Sequence, residues 1–336
     1  MRIVKLIALV AIVVAASGCR RGGDGVVSRI MANVSGSSGE VLLVMDQHLI
    51  NGPEGERIIE IFRTPVDGLP QTEPMFNILS VTPSGFGSLY RNHRNIVRVH
   101  IDPQLTEPQL TIQTDVYAAT QVMIRVAGPE INSLIDELDR RKNDVFSRIL
   151  SAERERWISY YRRTQSTSNF HKMRDEHQII MPVPAGYRID VSEEGFVWIA
   201  QETPMTTQAV LIHYFDPGSS YAFTRESMIY LRDQLTRREV PGPTRGTYMG
   251  IEHRFPPMYR VFEHNGRNYA ELRGLWTLVN GFMGGPFITL MTYDEKNNRA
   301  VMLDGFVYAP NDNKRDLLRQ VEALLYTIDF YTPDTE

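Results

Sequence analysis

The chain has 336 residues, with 36 Lys and Arg against 40 Asp and Glu, 42% hydrophobic residues and 23% charged ones. That length fits two domains and that composition supports real cores, which excludes long disorder, a collagen-like repeat and a polytopic membrane protein. The net charge of −4 offers no footprint for nucleic acid, and one cysteine excludes an internal disulfide framework.

Met1-Arg2-Ile3-Val4-Lys5 places two cations ahead of an apolar run from Leu6 to Ala16, followed by Ser17-Gly18-Cys19. The run is shorter than the roughly 20 residues of a spanning helix, so it reads as a secretory signal. Small residues just before a cysteine resemble the lipobox of bacterial lipoproteins. In that pattern the chain is cut before the cysteine, whose sulfur receives a diacylglycerol. Residues 1–18 are therefore expected to be a lipoprotein signal peptide, with Cys19 as the lipid attachment site. The expected address is the cell envelope, at the outer membrane with a periplasmic face, and the membrane is a partner only through this N-terminal lipid. Residues 19–39, rich in Gly and Ser, read as a flexible tether.

The first domain is expected over residues 40–170. Val41-Leu42-Leu43-Val44-Met45 is a continuous apolar run, the pattern of a strand buried on both faces. Asn51-Gly52-Pro53 signals a turn, and Ile58, Ile61 and Phe62 follow at helical spacing until Pro65. Phe76 to Val81 reads as a strand, and Thr82-Pro83 as the cap and first proline of a short helix through Phe86, Leu89 and Tyr90. Ile96 to Ile101, Leu110 to Val116 and Gln121 to Val126 are further strands. From Pro129 to about Thr167 apolar residues recur at helical spacing, which predicts one long helix joining this domain to the next. Its nearly balanced charges point to a solvated scaffold or a docking arm rather than a nucleic-acid or lipid contact. The domain reads as one sheet with helices on one face.

His171-Lys172-Met173-Arg174-Asp175-Glu176-His177 is the densest polar cluster. Its two histidines face away from each other on a helix, so a solvated connector is expected rather than a metal site. The second domain follows over residues 178–332. Ile179 to Val183, Gly195 to Ala200 and Ala209 to Phe215 read as strands, and Thr224 caps a helix through Leu235. Period-two alternation then runs through Tyr269 to Val279, Phe287 to Tyr293 and Arg299 to Tyr308, giving an antiparallel meander. A helix after Pro310, with Leu317, Leu318, Val321, Leu324, Leu325 and Ile328, packs across it. The fold class is α+β: two α/β layered domains, the second an antiparallel meander sheet against helices, joined by a long helix.

No nucleophile elbow, zinc helix, paired Cys-x-x-Cys or phosphate loop occurs, so neither cofactor nor metal is implied. Gly281-Phe282-Met283-Gly284-Gly285 reads as a glycine-rich hairpin turn, with Phe282 and Met283 either folded back or offered to a partner. Glu252 or Asp304 with His253 is the alternative of an envelope-polymer hydrolase, and a structural spacer is a third reading. If the chain binds, the expected residues are Tyr259, Arg260, Arg273, Trp276, Phe282 and Met283, around the second domain's meander.

Seven segments carry a resemblance. Gly39 to Asp46, His93 to Ile96, Val240 to Thr244 and Phe255 to Arg260 are four of them. Arg273 to Trp276, Gly281 to Phe287 and Asp304 to Pro310 complete the set. Together they resemble an uncharacterised, domain-of-unknown-function lipoprotein family of Bacteroidota-type envelopes, over about residues 39–330. That resemblance implies an address and a class but supplies no catalytic residues. From its Pro184-Ala185-Gly186-Tyr187 opening onward, the second half is similar in element order to PsbP/Mog1-like sandwiches. Such folds imply an accessory or binding module, and an envelope protein is the partner expected.

Overall fold

The computed structural model describes residues 31–216, 218 and 223–332, so the expected signal peptide and Cys19 lie outside the described residues. The first half runs β1 (Ala32–Asn33), β2 (Glu40–Val44), α1 (Gln47–Ile50), α2 (Pro53–Phe62), β3 (Asn77–Val81) and α3 (Ser88–Arg91). It continues through β4 (Asn95–Ile101), β5 (Gln109–Thr114), β6 (Ala118–Ala119), β7 (Val122–Gly128), α4 (Ile131–Arg140) and α5 (Lys142–Thr164).

Its main sheet is five-stranded, in the order β3-β2-β4-β7-β5, and every pairing except that of β5 is parallel. A parallel sheet must be covered on both faces, which is why Val41 to Met45 is apolar without interruption. Val41, Leu43 and Met45 point to a core shared with Phe62, Phe76 and Phe146. Leu42 and Val44 point the other way, with Ile96 and Met123, beneath Phe86 and Tyr90. Helices on one face only, as the sequence predicts, is therefore corrected. The helix expected to begin at Thr82-Pro83 is a turn in which the Thr82 hydroxyl accepts the Gly85 N–H; the helix starts at Ser88.

The tether expected over 19–39 is also shorter than its composition suggests. β1 pairs with β6, Ser35 N–H donates to Asn92, and the Gly39 carbonyl accepts from Asn77, so residues 32–39 belong to the folded body. The long helix predicted from Pro129 is divided. Arg141 (φ −105°, ψ 13°) interrupts it between α4 and α5, and Gln165 turns extended at the end of α5. Ser166 then caps α6 (Thr167–His177) by accepting the Asn169 N–H. The expected solvated connector is thus a helix, and its last residue, His177, is buried.

After α6 come β8 (Ile179–Ile180), β9 (Arg188–Glu193), β10 (Phe196–Glu202), β11 (Thr207–Phe215), α7 (Arg225–Glu239) and β12 (Tyr248–Ile251). The chain ends through β13 (Met258–His264), β14 (Arg267–Val279), β15 (Gly284–Asp294), β16 (Arg299–Tyr308), α8 (Arg315–Leu325) and β17 (Asp329–Phe330). The main sheet here is eight-stranded and antiparallel, ordered β12-β14-β15-β16-β11-β10-β9, with β13 also on β14. Alternation sends Ile288, Leu290, Val301 and Leu303 to the α8 side and Leu272, Trp276, Phe287 and Met302 to the α7 side. The fold is α+β, two layered halves with a meander in the second, as expected.

The described residues from Ala32 to Thr332 pack as one unit. One reason is α5, whose Val145, Phe146 and Ile149 lie in the first half's core while Ile158 and Tyr161 lie in the second's.

Candidate functional site

A cleft of about 620 Å³ opens where α5, α8, the β13–β14 hairpin and the loop at Val66 to Leu69 meet. The hairpin is set by a two-residue turn, Asn265-Gly266, both with positive φ (51° and 73°). That turn fixes the register, so Arg260 stands opposite Glu271. Arg260 donates Nε and Nη2 to the two Glu271 oxygens, each at 2.8 Å. Arg273 approaches the same carboxylate at 2.7 Å and donates to Glu322 on α8 at 2.7 Å. Arg154 of α5 reaches Glu322 at 3.1 Å while its guanidinium lies 3.9 Å over the Tyr326 ring.

This chain of charges spans the cleft from an exposed lip at Arg260 to a buried floor. Burial acts against the ionised Glu322 carboxyl, but Arg273 and Arg154 outweigh it and hold it at about 2. Burial likewise opposes charge on Arg273, and Glu322 and Glu271 overcome it, raising its pKa. Arg319 is different: desolvation, with Arg315 beside it, lowers its guanidinium to about 10. Its buried Nη1 has no hydrogen-bond partner among the described residues, the Asp316 carboxylate standing off at 3.6 Å. The walls are apolar and aromatic, with Phe146, Leu150, Trp157, Met258, Phe262 and Leu318.

Of the six residues expected to bind, Arg260 and Arg273 line this cleft, whereas Tyr259 borders it with its ring packed on the α7 side and its hydroxyl donating to the Phe223 carbonyl. Trp276 does not: it is buried on the α7 side, its indole N–H donating to the Val307 carbonyl at 3.1 Å. Trp276 is a core residue because it sits on the opposite face of β14 from Arg273, and this corrects its expected role. Met283 packs half-buried against the same core, whereas Phe282 stands fully exposed at the turn. The two alternatives for the pair are thus divided between them.

The residues of the hydrolase reading do not converge on the cleft. Asp304 is fully buried, held by Arg232 at 2.7 Å and by the Thr289 hydroxyl. Glu252 is bound by Arg254, which lowers its carboxyl to about 2, and His253 pairs with Asp233 at 2.8 Å. His177 approaches Ser192 Oγ at 2.7 Å and Tyr214 Oη at 3.0 Å, but the serine also donates to Glu176. Among the described residues no group of His, Cys, Asp or Glu is arranged to hold a metal ion, and no helix is long and apolar enough to cross a membrane.

Arg154, Glu271, Glu322 and Arg319 escaped the sequence reading. The Asn265-Gly266 turn was the available signal for Glu271, since it dictates the partner of Arg260. Nothing local announces Glu322 or Arg154, which meet only through tertiary packing.

A family model described as a domain of unknown function (DUF4837) matches residues 166–327, and a second such model (DUF8532) matches residues 34–162. No curated protein matches the chain. Among solved structures it is similar to a mutant of the protein Mog1, at 8% identity and a TM-score of 0.29, over 46% of this chain and 92% of that one.

Proposed function

We propose that this chain is a lipid-anchored protein of the cell envelope, facing the periplasm, that binds a partner or ligand in the cleft and catalyses nothing itself. The observation that carries the reading is the meeting of Arg154, Arg260 and Arg273 with aromatic and aliphatic walls in one cleft. Recognition sites of about 300–1,000 Å³ combine apolar surface with fixed polar groups, and this one sets nine charged side chains among aromatic and aliphatic ones. Its charged groups orient one another bidentately, which favours selective contact over proton transfer. The burial of Asp304 and the ion pairing of Glu252 weigh against the hydrolase reading.

The anchor is supported by the Met1 to Cys19 pattern, and each buried CH₂ of an attached acyl chain would contribute about 0.8 kcal/mol to membrane retention. Cys19→Ser is expected to release the chain from membranes. Unchanged retention would remove the anchor from the proposal. For the cleft, a photoactivatable side chain at position 258 should yield adducts in intact cells, while the same group at the exposed Tyr230 of α7 should not. Equal labelling from both positions, or none from the cleft, would overturn it.

A further inference from the structure

The strand that forms one lip of the cleft is also an open edge. His264 and Arg267 flank the two-residue turn and exchange backbone bonds, so the ladder alternates regularly from there to the Met258–Arg273 pair. That alternation aims the N–H and C=O groups of Tyr259, Val261 and Glu263 away from β14. None of these groups meets a backbone partner among the described residues. The opposite edge of the sheet is guarded. The pairing of β9 with β10 shifts register at Trp198/Ile199, and Arg188 ties β9 down through Asp190 and Glu202. β13 carries no such irregularity, and it exposes Met258 by 41% and Val261 by 62%. Edges of this kind invite another strand.

Charge says which strand. The side chains of Met258, Arg260 and Phe262 share the cleft face, so an added strand would lay every second side chain beside Arg260. There Arg154, Arg260 and Arg273 face only Glu271 and Glu322, an excess of one positive charge. Including Arg315 and Arg319 against Asp67 and Glu153, the remaining charges of the lining, leaves the same excess. Arg260 is the most exposed of the three network cations, with 54% of its side chain accessible.

We infer that β13 takes an extended acidic peptide as an added strand, with carboxylates beside Arg260 and apolar side chains beside Val261. The inference rests on the cleft being the binding site. The backbone of the peptide would complete the open ladder, and its acid would balance the guanidinium excess.

The test uses the full chain and a fluorescent, terminally blocked peptide of alternating Val and Glu, as long as β13, read by anisotropy. Matched peptides carry Lys for Glu, or a central Pro. The Val-Glu peptide should bind, and both controls should bind about tenfold more weakly or worse. Val261→Pro removes an N–H that serves only the open edge, where proline is tolerated. It should weaken the Val-Glu peptide about tenfold while preserving the melting temperature, and Glu263→Pro makes the same test if the first variant fails to fold. Arg260→Gln should abolish the preference for Glu over Lys. Binding that ignores both proline variants yet is lost in Arg260→Gln would overturn strand addition and leave the cleft standing. No binding of the Val-Glu peptide, or equal binding of the Val-Lys peptide, would overturn the acidic-peptide assignment, with the cleft itself judged by crosslinking from position 258. A concentration-dependent dimer broken by Val261→Pro would give the edge to a second copy of the chain and overturn the inference as well.

Discussion

Glu73 accepts the backbone N–H of Arg315 at 2.9 Å and that of Lys314 at 2.7 Å, so a buried carboxylate from the first half caps the helix that lies on the second half's sheet. Arg315 returns the contact by donating to the Pro74 carbonyl, and Arg319 donates to that of Met75. Removing the cap with Glu73→Ala should cost about 1–2 kcal/mol in urea unfolding. Amide exchange at the start of α8 should quicken in the same variant, whereas a change confined to the loop around Glu73 would contradict the capping role.

The pair of Arg232 and Asp304 has no exposed surface, and the guanidinium also lies 3.6 Å over the Phe287 ring. Asp304→Asn strands a buried cation and should destabilise the protein by roughly 3–5 kcal/mol. Replacing both partners together, with Arg232→Met and Asp304→Leu, should recover much of that loss, because no uncompensated charge then remains. A double-mutant cycle on denaturation midpoints decides it.

Two acid-sensitive windows follow from burial. Desolvation lowers His177, with Lys172 and Arg299 adding to it, and desolvation also lowers His213, with Arg238 adding. Their unfolded value is near 6.5. Stability is therefore complete above about pH 6.5 and declines as the pH falls from there toward their lower folded values, since the unfolded chain takes up these protons first. Glu322 acts further down: its contribution is present above its ordinary carboxyl value of 4.5 and is lost as the pH falls toward about 2. Unfolding free energies at about pH 7.5, 5.5 and 3.5 should step downward, and His177→Gln should flatten the first step.

Phe282, in the turn after β14, and Trp276, within that strand, differ sharply in burial. Phe282→Ser should change stability by no more than about 0.5 kcal/mol, because the ring touches solvent alone. Trp276→Ala should cost about 3–5 kcal/mol, because it empties a buried site and frees the Val307 carbonyl. Thermal melts of the two variants measure both.

The second half was the more legible in sequence. Alternation along Tyr269 to Val279 divides Ala270, Leu272 and Trp276 from Glu271 and Arg273 as the sheet does, and the stripe of Leu318, Val321 and Leu324 is the buried face of α8. The first half was misread because the apolar run Val41 to Met45 marks a strand covered on both faces but leaves no trace of which strands it pairs with. β2 pairs with β3 and β4, but the crossovers between them look like any strand followed by a helix. The division of the long helix falls at a single residue, Arg141, whose side chain is compatible with helix and which here donates to the Leu110 carbonyl. At the cleft, Arg260 was visible as a cation on an exposed strand, while Glu322 and Arg154 were invisible because 168 positions separate them in the chain.

Since α5 belongs to the first half yet gives Ile158 and Tyr161 to the interior of the second, the second half does not own a finished one. A fragment beginning at residue 166, where one family match starts, would leave Met173, Leu324 and Tyr326 without the cover that Ile158 and Tyr161 give in the intact chain. The segment matched from residue 166 therefore does not coincide with a complete core. Heat should melt the molecule in a single transition, and either piece expressed alone should clump.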